Sequence, residues 1–405
     1  MKYTSKEVMQ FVVEEDVKFI RLTFCDIYGK QKNISIMPTE LPRAFEYGIA
    51  IDASAIAGFG QDVHSDLFLH PDPDTLAIMP WRPEHGSVVR MFCSISYPDG
   101  TVFENDTRSI LIKAINDAKE EGYSFDFGTE IEFYLFNLNE NGEDTRIPYD
   151  NAGYMDVAPL DKGENVRREI SLTLEKMGIL PECSHHEEGP GQNEIDFRYS
   201  DALSSADNAA TFYTVVNAIA ARNGLCACFT PKPLADKPGN GLHVHMSLNG
   251  NASKNDKALS YVIQGILDHI SEMTLFLNPT EESYSRLGNF KAPKYISWSQ
   301  SNRSQLVRIP AVIGSSSRAE LRSPDPSANP YIVFALIIYA ALDGLKSKKK
   351  LQSPVDENLF FADSETLSKL KALPLTRSEA ASIASQSTFI KEHLPHMLIR
   401  NFVEQ

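Results

Sequence analysis

Two stretches of this sequence put negative charge on alternate residues, with apolar side chains between: Gly128-Thr129-Glu130-Ile131-Glu132-Phe133-Tyr134-Leu135-Phe136 and Gly191-Gln192-Asn193-Glu194-Ile195-Asp196-Phe197-Arg198-Tyr199. A third, Gly241-Leu242-His243-Val244-His245-Met246-Ser247-Leu248, does the same with histidines. Successive strand side chains point to opposite faces, so Glu130 shares a face with Glu132, and His243 with His245 and Ser247. Ile131, Phe133, Val244 and Met246 take the other face and pack on a core. Carboxylates that close repel each other unless a cation sits between them. With an occasional imidazole they are ligands for Mg²⁺ or Mn²⁺. One such strand alone reads as half-exposed, with a solvated face. Together, however, the polar positions are Glu, Glu, Glu, Asp, His and His, where a solvated face mixes in Lys, Thr and Ser. The pattern predicts a metal-lined cavity. His185-His186-Glu187-Glu188, which precedes the second strand by a Gly-Pro-Gly turn, adds further possible ligands. Arg318-Ala319-Glu320-Leu321-Arg322 sets two arginines around one acid.

Arginine is the other concentration of chemistry. Arg286, Arg303, Arg308, Arg318 and Arg322 fall close together. Their guanidinium forks suit phosphates and carboxylates, or make ordinary surface salt bridges. Acids for divalent ions plus arginines for oxyanions point to phosphoryl transfer, where catalysis is mostly positioning and charge neutralisation. There is no GxxxxGK[ST] loop to announce ATP.

The 405 residues are 42% hydrophobic and 23% charged, an ordinary soluble composition long enough for two domains. A net charge of −15 and no basic face argue against nucleic acid. The one dense basic run, Lys346-Ser347-Lys348-Lys349-Lys350, follows an apolar stretch and reads as a helix C-terminus. Five scattered cysteines without a CxxC pair predict a reducing, cytoplasmic setting. Cys183 lies near His185 and His186 but lacks a second cysteine at zinc spacing, so it reads as a buried thiol. Met1 to Asp16 is amphipathic and charged, unlike a signal peptide. The apolar run Tyr331 to Leu342 is too short for a bilayer and reads as a buried helix, so no membrane is expected.

These side chains need a frame. Thr4-Ser5-Lys6-Glu7 is a capping box. Phe19 to Phe24, Thr75 to Met79 and Ser87 to Cys93 read as strands of a small sheet domain, residues 1–100. Asp106 or Thr107 opens a helix running to Gly122, and residues 101–405 form the second domain. There, helices are expected at Asn165 to Met177, Ala202 to Asn223, Asp256 to Phe276 and Asn329 to Leu345, with Gly178 and Gly224 just past two of their ends. Asn137 to Gly163 is polar and turn-rich and reads as a long surface loop.

At these residues the chain resembles glutamine synthetases of the bacterial type I family. The match runs from about residue 15 to about 375 through several long motifs in order: Ile51-Asp52-Ala53-Ser54, the Glu130/Glu132 strand, His185-His186-Glu187 to Phe197, Pro231-Lys232-Pro233-Leu234, Gly241-Leu242-His243, Asn278-Pro279-Thr280 to Leu287, Asn302-Arg303-Ser304 and Glu320-Leu321-Arg322-Ser323-Pro324-Asp325. The resemblance implies an α+β fold: an N-terminal β-grasp domain, then a glutamine synthetase/guanido-kinase-like catalytic domain with a curved antiparallel sheet. It implies a ring homo-oligomer, hexamer or dodecamer, with active sites between neighbouring subunits. By position, Glu132, Glu187 and Glu194 match the ligands of one metal, and Glu130, His243 and Glu320 those of another, for two or three Mg²⁺ or Mn²⁺ per site. Arg286 matches the residue holding the amino-acid carboxylate. Arg303, Arg308 and Arg322 match those gripping phosphate and the reacting carboxylate. Tyr199, His245, Ser247 and Arg318 fall at nucleotide positions. The family joins ATP, glutamate and ammonia through a γ-glutamyl phosphate, and Asp52, from across the interface, matches the acid that takes ammonium's proton.

The departures are specific. The family flap carries a glutamate, where this chain has Lys291 within Gly288-Asn289-Phe290-Lys291-Ala292-Pro293. A cation there disfavours ammonium and argues for another small amine as acceptor. The substrate loop Asn-Gly-Ser-Gly becomes Pro238-Gly239-Asn240-Gly241, losing one N–H donor at the proline. Phe360 replaces a tyrosine that some members adenylylate, and Gln61 an arginine linked to feedback inhibition. The C-terminal strap is missing after Gln405, which predicts weaker pairing of rings. A weakly catalytic homologue acting as a ligand sensor is the alternative, and the retained metal and arginine positions argue against it.

Overall fold

The computed structural model describes residues 3–60, 65–81, 86–249, 257–311 and 318–405. Gln61 and Asp256 lie outside them. Thr4 caps α1 (Ser5–Glu14) with the expected box, its own N–H donating to the Glu7 carboxylate at 2.7 Å. Six strands follow: β1 (Val17–Cys25), β2 (Gln31–Ile36), β3 (Ile49–Asp52), β4 (Asp66–Pro71), β5 (Ala77–Ile78) and β6 (Ser87–Ser96). They form a sheet in the order β2-β1-β6-β4-β3, with β5 against β6. The central β1–β6 pair is parallel, and α1 packs on β1 and on α2 (Leu41–Tyr47). Alternate residues Ile20, Leu22, Val89 and Met91 are fully buried. This is the β-grasp arrangement expected. The expected strand Thr75 to Met79 is cut short because Pro73 and the Asp72 cap begin a 3-10 turn at Pro73–Thr75.

Asp106 caps α3 (Thr107–Glu120), which leads into a ten-stranded, mostly antiparallel sheet curled into a half-barrel. Its strands are β7 (Ser124–Leu138), β8 (Asp144–Pro148), β9 (Pro181–His186), β10 (Gln192–Phe197), β11 (Ser200–Asp201), β12 (Leu225–Cys228), β13 (Leu242–Asn249), β14 (Trp298–Gln300), β15 (Val307–Ile309) and β16 (Ala319–Leu321). The order is β14-β15-β16-β13-β7-β10-β9, and β8, β11 and β12 pair with the long β7. β8 corrects the expectation of a loop across Asn137 to Gly163. Asn139 Oδ1 accepts from the N–H groups of Asn141 and Glu143, Gly142 takes φ +79°, and that turn folds the polar segment back onto β7.

The helices cover the convex face: α4 (Glu164–Lys176), α5 (Ala202–Arg222), α6 (Ala258–Leu277), α7 (Glu281–Arg286) and α8 (Pro330–Ser347), with four short helices between Ser364 and Glu404. Gly178 and Gly224 end α4 and α5 at φ +83° and +70°, as their spacing predicts. Among the described residues α8 alone is long and apolar enough to cross a membrane; 83% of it is buried in the core. It lies so close to α6 that a Cβ on Gly265 would meet the Ala340 carbonyl oxygen at 2.1 Å. Phe334 of α8 stacks on Phe127 of β7 at 4.5 Å, fixing helix to sheet. Buried Arg108 of α3 bridges Asp72, which caps the turn after β4, and Asp207 of α5 at 2.8 and 2.9 Å, tying that turn to the helices.

Candidate active site

Strand register gathers the acids. Glu132 stands opposite Glu194, and Glu130 opposite both Asp196 and His243. Glu194 also faces His185, while Glu320 faces His245 and Arg308. The result is a cavity of about 360 Å³ lined by Glu130, Glu132, Glu187, Glu194 and His243, with Arg286, Arg303 and Arg322 across from them.

Among the described residues, three groups of ligand atoms at this cavity converge within 4.8 Å: Glu130, His243 and Glu320; Glu132, Glu194 and His243; and His185, Glu187 and Glu194; a fourth, Asp150, Asp161 and His186, lies buried away from it. The first is one of the two sets that the resemblance implied; His243 also comes within reach of the second, and His185 stands with Glu187 and Glu194 in the third. His243 Nδ1 and His245 Nε2 lie 3.0 and 2.6 Å from the two oxygens of Glu130. Glu132 Oε2 accepts the Gly241 N–H at 2.8 Å and the Gln192 amide at 3.2 Å. His186 is excluded: it is buried away from the cavity, its Nε2 on Asp150 at 2.9 Å.

Burial and the charge of Glu187 push the Glu132 carboxyl up to about 7. Burial and Glu194 do the same to Glu187, to about 7. Burial lifts Glu194 to about 8 in spite of its bond to His185. Burial and Arg322 push His243 down to about 4, leaving it neutral, the state a ligand needs. Acids that resist ionising together beside a neutral imidazole fit a divalent cation.

The arginines divide. Arg286 is buried and donates to the Ser323 carbonyl at 2.8 Å, while its flank lines the cavity beside Gly239. Gly239 permits that approach, since a Cβ there would lie 3.0 Å from Arg286 Cγ and 2.3 Å from the Pro231 carbonyl oxygen. Arg303 is exposed at the mouth and makes no salt bridge among the described residues. Arg322 reaches Glu320 at 2.5 Å. Arg308 also clasps Glu320, whose side chain is fully buried, and it is not among the residues that line the cavity. On the far side of Glu130, Tyr199 and His245 meet edge to face at 6.3 Å, with the Arg318 guanidinium 5.5 Å from the Tyr199 ring. Among the described residues, Tyr199 Oη, His245 Nδ1 and Arg318 Nε are buried without hydrogen-bond partners, as a polar ligand site requires. Ser247 continues the same face of β13, opposite Asp126.

Asp52 is not brought to this cavity. It caps a 3-10 turn on the exposed end of β3, accepting from the Ser54 N–H at 2.9 Å. Lys291 lies at the mouth, with its ammonium 2.6 Å from Glu188 and 5.1 Å from the Tyr154 ring centre. The cation read there has a counter-charge in Glu188, which offsets its repulsion of ammonium. Glu188, Tyr154 and Gln192 escaped the sequence reading as partners, because they meet their targets only across loops and strands. Cys183, expected to be buried, is exposed on edge strand β9 and donates to Asp196 at 2.7 Å.

A curled sheet with acids on one face and arginines opposite defines a metal-dependent phosphoryl-transfer site. The chain matches the glutamine synthetase β-grasp domain family over residues 16–98 and the glutamine synthetase catalytic domain family over residues 104–405. It is 44% identical over 415 residues to glutamine synthetase of Clostridium saccharobutylicum, covering 99% of this chain and 94% of that protein. It is 42% identical over 413 residues to the Methanosarcina mazei glutamine synthetase, covering 99% and 92%. The chain belongs to the glutamine synthetase family. Among solved structures, a GmaS/ADP complex superposes with a TM-score of 0.87 at 26% identity, covering 98% of this chain and 94% of that one. Plasmodium falciparum glutamine synthetase gives 0.87 at 22% identity, covering 100% and 96%, a likeness of fold alone.

Proposed function

We propose that this chain is an ATP-dependent ligase that joins glutamate and ammonia into glutamine through a γ-glutamyl phosphate. The observation that carries the reading is the acid-lined cavity faced by three arginines, in a chain that matches glutamine synthetases over nearly its full length. Glu130, Glu132, Glu187, Glu194, His243 and Glu320, with His185 beside them, would hold two or three Mg²⁺ or Mn²⁺ ions. Such ions neutralise phosphate charge and polarise the transferring group. Arg286 binds the amino-acid carboxylate. The γ-carboxylate oxygen attacks the γ-phosphorus of ATP and ADP leaves, with Arg303 and Arg322 taking up the developing charge. Ammonia then bonds to the acyl carbon as phosphate departs. Tyr199, His245, Ser247 and Arg318 supply the nucleotide side, a placement supported by the orphaned polar atoms of Tyr199, His245 and Arg318. Asp52 takes the proton from ammonium in a neighbour's site, which requires a closed ring, a hexamer or a pair of hexamers. The five free thiols suit a reducing cytoplasm.

Another small amine is the second reading, favoured by Lys291 in the place of a carboxylate. Phosphate release and amide formation from ATP and glutamate, measured with ammonium, methylamine and ethanolamine in parallel, decide between them. Faster turnover with either organic amine overturns the ammonia assignment. ATP binding without turnover on any amine overturns the ligase.

A further inference from the structure

We propose that the buried cluster Asp150, Asp161, Arg167, His186 and Asn193 is a positioning site that fixes the ligand group His185, Glu187 and Glu194 from behind, and so sets the affinity of one class of cation without touching it. The inference rests on the metal-dependent ligase reading above. Strands β9 and β10 carry two adjacent rungs that face opposite ways. In one, His185 stands across from Glu194, and both line the cavity. In the next, His186 stands across from Asn193, and both are buried on the reverse side. Neighbouring residues of a strand share one backbone, so whatever holds the second rung also holds the first.

The second rung is held from several elements. His186 Nδ1 donates to the Glu187 carbonyl at 2.6 Å, and Nε2 to Asp150 Oδ1 at 2.9 Å. Asp150 also accepts the Gly191 N–H at 2.9 Å and the Lys162 N–H at 3.0 Å. The imidazole thus ties the backbone of a candidate ligand, Glu187, to the turn that opens β10 and to the segment before α4. Arg167 of α4 grips Asp161 at 2.5 Å and Asn193 Oδ1 at 2.6 Å, beside Glu194. All five side chains are more than nine-tenths buried, where the low dielectric strengthens each of these bonds. Asp150, Asp161 and His186 bring ligand atoms within 4.8 Å of one another, yet the Arg167 guanidinium and the backbone N–H groups already answer the acids. The cluster is support for a cation site and not another one.

It also gives a task to the turn-rich segment after β8. Asp150 and Asp161 stand towards its two ends. Between them the Met155 N–H donates to the His186 carbonyl at 3.0 Å, and the Tyr154 ring meets the His185 ring edge to face at 5.3 Å. The ligand His185 is therefore steadied twice, through its strand neighbour and through its own ring.

The test follows Mn²⁺ binding to the full chain by electron paramagnetic resonance of the free ion, in wild type, Asp150→Ala, Asp150→Asn, His186→Gln and Ile170→Ala. Glu187→Gln and Glu130→Gln, run alongside, show which class of ion belongs to which ligand group. Asp150→Ala is expected to weaken the Glu187 class about 10- to 100-fold and to leave the Glu130 class within about two-fold. Asp150→Asn and His186→Gln, which keep part of the bonding, shift the same class less. Ile170→Ala, which opens a cavity on the buried face of α4, lowers the melting point without separating the classes. Equal weakening of both classes, or an unchanged Glu187 class in the Asp150 and His186 variants, overturns the inference and leaves the metal reading standing. Wild type that binds no Mn²⁺ overturns the metal reading, and the inference with it. Should Asp150→Ala not fold, the two conservative variants decide.

Discussion

Glu132→Gln should stabilise the metal-free protein while abolishing its turnover. Burial and Glu187 hold the Glu132 carboxyl up at about 7, against 4.5 for the free side chain. Between those values the folded protein keeps a proton that the unfolded chain has lost, so stability falls as pH rises through the window. At about 1.36 kcal/mol per unit, the penalty is about 1.4 kcal/mol at pH 5.5 and about 3 kcal/mol at pH 8. The side chain is only 12% exposed, so solvent screening removes little of it. A glutamine oxygen still accepts from Gly241 and Gln192, so the substitution removes charge and keeps both hydrogen bonds. Scaling the usual unfolding entropy to 405 residues gives about 1 °C per kcal/mol. Thermal melts in EDTA should therefore put the variant about 3 °C above wild type at pH 8 and about half that at pH 5.5. Saturating Mn²⁺ should reverse the order, because the wild type gains more from binding. A variant that melts lower than wild type in EDTA at pH 8, or a gap equal at both pH values, would refute the reasoning.

Glu320→Gln should do the opposite. Burial raises that carboxyl, but Arg322 and the nearby histidines outweigh it and hold it down at about 2. The substitution leaves Arg308 and Arg322 without their counter-charge, a loss of about 3–5 kcal/mol seen as a lower melting point with or without metal. Co-expressing Asp52→Asn chains with Glu132→Gln chains should restore about a quarter of wild-type activity, since a random ring pairs intact halves at that frequency; activity no higher than either parent would exclude a shared site. Phe290→Gly should change stability by less than about 1 kcal/mol, because relief of the left-handed strain offsets the lost Lys232–ring contact. It should still increase protease cleavage near residue 290.

The acids of the cavity were legible because a strand's two-residue period is written directly into Glu130, Glu132, Glu194, Asp196, His243 and His245. The helix bounds were legible from capping residues such as Thr4 and Asp106 and from Gly178 and Gly224. Register was not. Which acid faces which histidine depends on how β7, β10, β13 and β16 align, and no local pattern states that. That His243 reaches Glu132 and Glu194 as well as Glu130 and Glu320 follows from that alignment. Lys291 was read without Glu188 because about a hundred residues separate them along the chain, and only the closed fold brings them together. That Arg308 pairs with Glu320 was not legible either, because an arginine's partner cannot be known until its strand neighbour is in place.

The pairings of Glu132 with Glu194 and of Glu130 with His243 also bear on how errors in this protein are handled. Residues on either side of each acid, such as Ile131 and Ile195, are fully buried. A slip of one residue between strands would turn the acids into the core and the isoleucines into the cavity. Such a chain would not reach a compact state, so a half-competent, misaligned product has nowhere to accumulate. Folding and catalytic readiness are therefore inspected in a single step, and a molecule that survives quality control carries its ligands in order.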